Sequence, residues 1–276
     1  MEDEKIIFFS STVLSSTIPT SYYVTFNKSI SVNKIILIRF FLFILFVFYR
    51  RKDFSLYWNT CQINDHGYFE HKSVEYLKIY GEEAFDVPYY FPNVNRLKLV
   101  HYFKTTNTNR SFIDTLDRLF PLKQLEILEI PDWTMPFDEL INLIRLVPKL
   151  HTVKLSNLLI YQLNLSLIEQ HPIIQSIMQT NRVKTFQLVA PCSLQTLKFI
   201  LKLFPNIEHL TIGTDKKDIF KILHELFRTK NHHLKSLCFT ETPQRYVKEV
   251  DFYLQTQDLL TNYSIKLCNR QLFLWW

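Results

Sequence analysis

Two close carboxylate pairs, Asp114 with Asp117 and Asp138 with Glu139, are the side chains whose type and spacing best suit general acid–base chemistry. Each pair falls on a helical run, where acids are ordinary solvated surface, so neither marks an active site. His232, His233 and Cys238 carry metal-ligating atoms, but no second pair stands at ligand spacing. They read as a polar turn before a buried strand. Cys61, Cys192, Cys238 and Cys268 are far apart and never form C-x-x-C, and they read as free thiols of a reducing compartment. The chain has no G-x-G-x-x-G, Walker loop, G-x-S-x-G or H-E-x-x-H. With only 3 glycines in 276 residues, it also lacks the residues that phosphate-cradling turns require. The expectation is a protein without catalytic residues, metal or cofactor.

Charge narrows the partner class. Lys and Arg number 32 against 26 acids, a net +6, and most of the excess lies beyond residue 157. The longest basic run there is Lys216-Lys217, with no aromatic interleaving. Nucleic-acid binders carry a denser basic stripe, so no nucleic-acid partner is expected.

The elements behind these residues repeat. The unit is apolar-x-x-apolar-x-apolar, seen as Val74-x-x-Leu77-x-Ile79, Val94-x-x-Leu97-x-Leu99, Leu125-x-x-Leu128-x-Ile130 and Leu150-x-x-Val153-x-Leu155. It continues as Val183-x-x-Phe186-x-Leu188, Ile207-x-x-Leu210-x-Ile212 and Leu234-x-x-Leu237-x-Phe239, at intervals of 20 to 33 residues. Phe91-Pro92-Asn93, Val147-Pro148-Lys149 and Phe204-Pro205-Asn206 lead into three of these units, and proline there ends the preceding element. Several runs before the units have helical period: Phe112, Leu116, Leu119 and Phe120; Leu140, Ile141, Ile144 and Val147; Leu194, Leu197, Leu201 and Phe204, with Ile200 beside them; Ile219, Phe220, Leu223, Leu226 and Phe227.

Each unit is therefore strand, loop, helix and stop, and about seven of them over 71–242 form an α/β solenoid. Strand alternation sends Leu77, Leu97, Leu128, Val153, Phe186, Leu210 and Leu237 into the core. The intervening side chains form outward columns, and among them Tyr76, Lys78, Arg96, Lys98, Glu129, Thr152, Lys154, Gln187, His209 and Thr211 are the candidate partner-binding residues. Lys78, Arg96, Lys98 and Lys154 suggest an acidic or phosphorylated protein partner.

The flanks differ. Residues 1–33 read as a flexible arm, rich in Ser and Thr over 9–21. Residues 34–52 contain Ile35 to Tyr49, apolar on every face but for Arg39. As a helix these 15 residues reach about 22 Å, short of the roughly 30 Å hydrocarbon core. The stretch is either an N-terminal cap or a membrane anchor; in the second case Arg50-Arg51-Lys52 keeps the repeats cytosolic. The chain is otherwise expected in the cytoplasm. Residues 243–276 read as a helix over about 244–261 and a hairpin turning at Asn269-Arg270, together a C-terminal cap.

With its Pro-Asn lead-in, the unit resembles the leucine-rich repeats of the F-box/leucine-rich-repeat family, in a divergent form. The resemblance implies parallel strands on the concave face of the solenoid and helices on the convex face. It also implies a ubiquitin-ligase adaptor partner, with the repeats holding the substrate. The asparagine such repeats carry eight residues after their first position is replaced here by Glu82, Tyr102, Trp133, Leu158, Pro191, Asp215 and Thr242. Residues 1–70 contain no Leu-Pro-acidic start of an F-box.

Overall fold

A computed structural model of the chain describes residues 52–57, 69–80, 89–100, 112–131, 136–158, 168–215, 217–228 and 233–276. The N-terminal arm and the apolar stretch from Ile35 to Tyr49 lie outside the described residues, as do Cys61 and His232. Among the described residues no helix is long and apolar enough to cross a membrane.

The fold is mixed α/β, with a ten-stranded, mostly parallel sheet and six helices among the described residues. Eight strands are parallel and follow chain order: β1 (Asp53–Tyr57), β3 (Tyr76–Tyr80), β5 (Arg96–Val100), β6 (Ile127–Ile130), β7 (Thr152–Leu155), β8 (Thr185–Pro191), β9 (His209–Gly213) and β10 (Ser236–Thr240). Two-residue strands β2 (Phe69–Glu70) and β4 (Tyr89–Tyr90) pair separately. Helices α1 (Phe112–Leu119), α2 (Phe137–Leu146), α3 (Pro172–Thr180), α4 (Leu194–Leu203) and α5 (Ile219–Arg228) lie in the successive crossovers from β5 to β10. Parallel crossovers of one hand between sequential neighbours set all their helices on one face of the sheet. Helix α6 (Arg245–Thr256) then leads to the antiparallel hairpin β11 (Ser264–Cys268) and β12 (Gln271–Trp275).

The register follows the repeat. Leu77, Leu97, Leu128, Val153, Phe186, Leu210 and Leu237 are mutual register partners, each at most 1 % exposed. Strand entry is equally regular. The carbonyls of Glu75, Asn95, Glu126, His151, Lys184 and Glu208 each accept two consecutive N–H groups from the next strand. Just ahead of it the carbonyls of Phe91, Leu122, Val147 and Phe204 accept the N–H three residues on. Pro92, Pro148 and Pro205 sit second in their turns, where fixed φ favours proline.

The missing asparagine position has a counterpart in this turn. Asn93 Nδ2 donates to the Lys72 carbonyl at 2.6 Å, and Gln124 Nε2 to those of Pro92 and Val94 at 2.6 and 3.0 Å. Asn206 Nδ2 donates to the Asn181 carbonyl at 3.3 Å. All three stand one residue before the first apolar position of a unit and satisfy carbonyls of the preceding unit.

Several elements differ from the sequence reading. Strand β1 begins before residue 71 and extends the sheet, and β12 with β11 extends its other end, so ten strands replace seven. Helix α3 has no counterpart among the predicted faces; Pro172 opens it, His171 Nδ1 accepts from Ile173 N–H, and Ile174 and Ile177 are buried. On α4 the buried side is Leu197, Phe199, Ile200, Leu203 and Phe204, while Leu194 and Leu201 are half-buried. The arc is turned because Phe199 packs across onto Phe137 of α2, 5.7 Å between rings. On α5, Phe220 and Phe227 reach outward to Tyr253 and Trp276, each 5.0 Å away. Asn269 and Arg270 both take left-handed angles, φ 49° and 62°, as a two-residue hairpin turn requires.

Candidate functional site

The helices cover one face of the sheet, and the opposite face carries the outward columns. Its central column runs Ser55, Lys78, Lys98, Glu129, Lys154, Gln187, Thr211, Cys238, Phe273 and Lys266 in direct register. Beside it run Asp53, Tyr76, Arg96, Ile127, Thr152, Thr185, His209, Ser236, Trp275 and Ser264. The ten candidate residues therefore share one face.

They are not equally available. Glu129 gathers three of the others: Arg96 donates to Oε1 at 2.6 Å, Lys154 to Oε1 at 3.0 Å and the Tyr76 hydroxyl to Oε2 at 3.3 Å. Its side chain is only 13 % exposed. Burial alone would raise the carboxyl; the hydrogen bonds from Lys154 and Arg96 outweigh it and hold Glu129 below its ordinary value. Burial, and then the charge of Glu129, push the Tyr76 hydroxyl up to about 12. The Tyr76 ring lies under Arg96 at 4.3 Å and Lys78 at 4.8 Å, both within cation–π range. Lys78 also pairs with Asp53 at 3.5 Å. Of the four cations expected to meet an acidic partner, two share one part-buried carboxylate. Lys98 has no ion pair among the described residues.

Thr152 is buried, with its hydroxyl 2.9 Å from His151 Nδ1, and takes no part in the open surface. Gln187 and Thr211 are half-buried and His209 is exposed, its Nδ1 2.8 Å from the Ser236 hydroxyl. Cys238 is outward by alternation yet buried, because hairpin strand β12 brings Phe273 alongside it. Burial pushes its thiol up to about 11 and that of Cys192 to about 12, which leaves both protonated and unreactive.

The remaining chemical candidates stay dispersed. Asp114 and Asp138 lie exposed in the first turns of α1 and α2, where acids complement the helix dipole, and Asp117 lies exposed in the second half of α1. Among the described residues no three or more His, Cys, Asp or Glu converge on a metal position. The basic excess of the later units lies off the open face in pairs between units: Lys184 with Glu208 at 2.8 Å, Lys198 with Glu225 at 2.9 Å and Lys202 with Glu169 at 2.8 Å. Sequence reasoning missed Asp53 and the pair Phe273 and Trp275, since only the added strands at each end bring them to this face. Comparison with protein-family models, with curated proteins and with solved structures finds no match to this chain, and the geometry of the open face carries the functional reading.

Proposed function

We propose that the chain is a non-catalytic recognition module, a leucine-rich-repeat-like solenoid that holds a protein partner on its open sheet face. We further propose that it serves as the substrate receptor of a cullin-type ubiquitin ligase, the role implied by its resemblance to the F-box/leucine-rich-repeat family. One observation carries the module reading: among the described residues, successive parallel strands in equivalent register, bridged by helices on one side, leave the other face uncovered by helices across the sheet. The repeated entry turns and double-acceptor carbonyls support it, because equivalent units must meet equivalently.

A photoreactive amino acid at Gln187, on the open face, and at Asp117, on the helix side, tests the module in the full chain in its native cells. Discrete adducts from the first position and none from the second are expected; equal yields at both would overturn the reading. Co-purification of a cullin adaptor with the chain tests the ligase role separately, and its absence from the recovered complexes would remove that role alone.

A further inference from the structure

We infer that the segment recognised on this face is acidic at one end, that its anionic side chain sits between Lys78 and Lys98, and that the Arg96–Glu129–Lys154 cluster is its structural support and not its contact. This rests on the recognition-module reading above. From β1 to β7 the outer columns carry four cations, Lys78, Arg96, Lys98 and Lys154, against Asp53 and Glu129, a surplus of two positive charges. The surplus is not spread evenly. An incoming anion seeking Arg96 or Lys154 must compete with a carboxylate that is 13 % exposed and already hydrogen-bonded to both. An anion approaching Lys78, itself 25 % exposed, competes only with Asp53, which is 59 % exposed and 3.5 Å away. At Lys98 no ion pair competes among the described residues: Glu129, its register partner on β6, is engaged by Arg96 and Lys154. Lys78 and Lys98 are also direct register partners on neighbouring strands, where like charges repel, and an anion between them relieves that repulsion.

The rest of the face sets the polarity. On β8, β9, β10 and β12 these outer columns hold no Asp, Glu, Lys or Arg, and they reach Phe273 and the exposed Trp275 before Lys266 and Ser264 of the edge strand β11. A nucleic acid, charged evenly along its length, would leave half its phosphates over uncharged strands. A protein segment with anionic side chains at one end and uncharged or apolar side chains at the other fits the face from β1 to β12.

Fluorescence anisotropy on the full chain tests this with four labelled 12-mers. One peptide begins with three Glu and continues with Ser, Leu and Tyr; the second replaces Glu by Gln, the third by phosphoserine; the fourth probe is an oligothymidylate. The Glu and phosphoserine peptides should bind, each weakening with salt, and their ratio tells which source of anion the face prefers. The Gln peptide should bind at least tenfold more weakly. K98E and K78E should abolish the difference between the Glu and Gln peptides and K98Q should reduce it, whereas K248E, an exposed charge on α6, should not. If K98E fails to fold, K98Q with the salt series decides. Equal binding of Glu and Gln peptides, wild-type discrimination in K98Q, preference for the oligothymidylate, or no binding of either anionic peptide at low salt would each overturn the inference. Adducts at Gln187 would still report the recognition face in that event.

Discussion

At Glu129 desolvation and charge act in opposite directions on the same carboxyl, and the hydrogen bonds from Lys154 and Arg96 prevail. Its pKa is lower folded than unfolded, so the stability it contributes is present above the ordinary carboxylate value and is lost as pH falls through the folded one. Glu129→Gln should cost about 1–2 kcal/mol at pH 7, because Arg96 and Lys154 lose charge-assisted bonds yet can rehydrate. Urea titrations at pH 7 and pH 4 should show the gap between variant and wild type narrowing at the lower pH. His71 works at milder acidity. It stacks on Phe91 at 5.3 Å, within ring contact of Phe54 and Tyr89, and its Nε2 is buried without a partner among the described residues. Burial lowers its pKa, so the unfolded chain takes up the proton first and stability declines as pH falls below about 6.5. His71→Phe should flatten thermal stability between pH 7 and 5 relative to wild type, and an unchanged slope would place that acid sensitivity elsewhere.

Among the elements, the lead-in turn shows how one short motif does two jobs. Its proline stops the helix, and the amide that follows ties the turn to the preceding unit. Gln124→Ala leaves the Pro92 and Val94 carbonyls short of a donor and should lower stability by about 1–2 kcal/mol, read from the urea midpoint. Strand β8 carries an irregularity between Leu188 and Pro191, and Gly213 of β9 fits against it so closely that a Cβ would lie 2.0 Å from the Val189 carbonyl oxygen. That contact is with backbone, which cannot swing aside. Gly213→Ala should cost about 3 kcal/mol or more, whereas an alanine placed in open space would be neutral; a neutral result in thermal melts would mean the two strands are further apart.

For the whole molecule, the β10 end of the parallel sheet is the edge that most needs cover, and the hairpin supplies it. Strand β12 pairs antiparallel with β10, and its Leu272 and Leu274 are fully buried in the same core as the repeats. The Tyr263 hydroxyl bonds Asp251 Oδ1 at 2.6 Å and fastens the hairpin to α6. Removing residues 262–276 would bare both the β10 edge and the last layer of the core. The truncated chain should aggregate or unfold at temperatures the full chain withstands, measured by scattering during a thermal ramp.

The interior and the register were legible because the apolar-x-x-apolar-x-apolar spacing allows one strand phase only: a slip of one residue would turn Leu77 or Leu128 to water. Proline and helical period located most helix ends for the same local reason. Helix α3 escaped because its apolar face is short, and its sign was the His171-Pro172 start. By itself, then, the sequence determined which side chains of the seven repeated units share the open face. Tertiary structure alone decided which of them are free. Pairing across strands placed Glu129 between Arg96 and Lys154, and set Asp53 and the closing hairpin at the two ends of the sheet. Charge compensation depends on distance through space, which a periodic pattern along the chain does not encode.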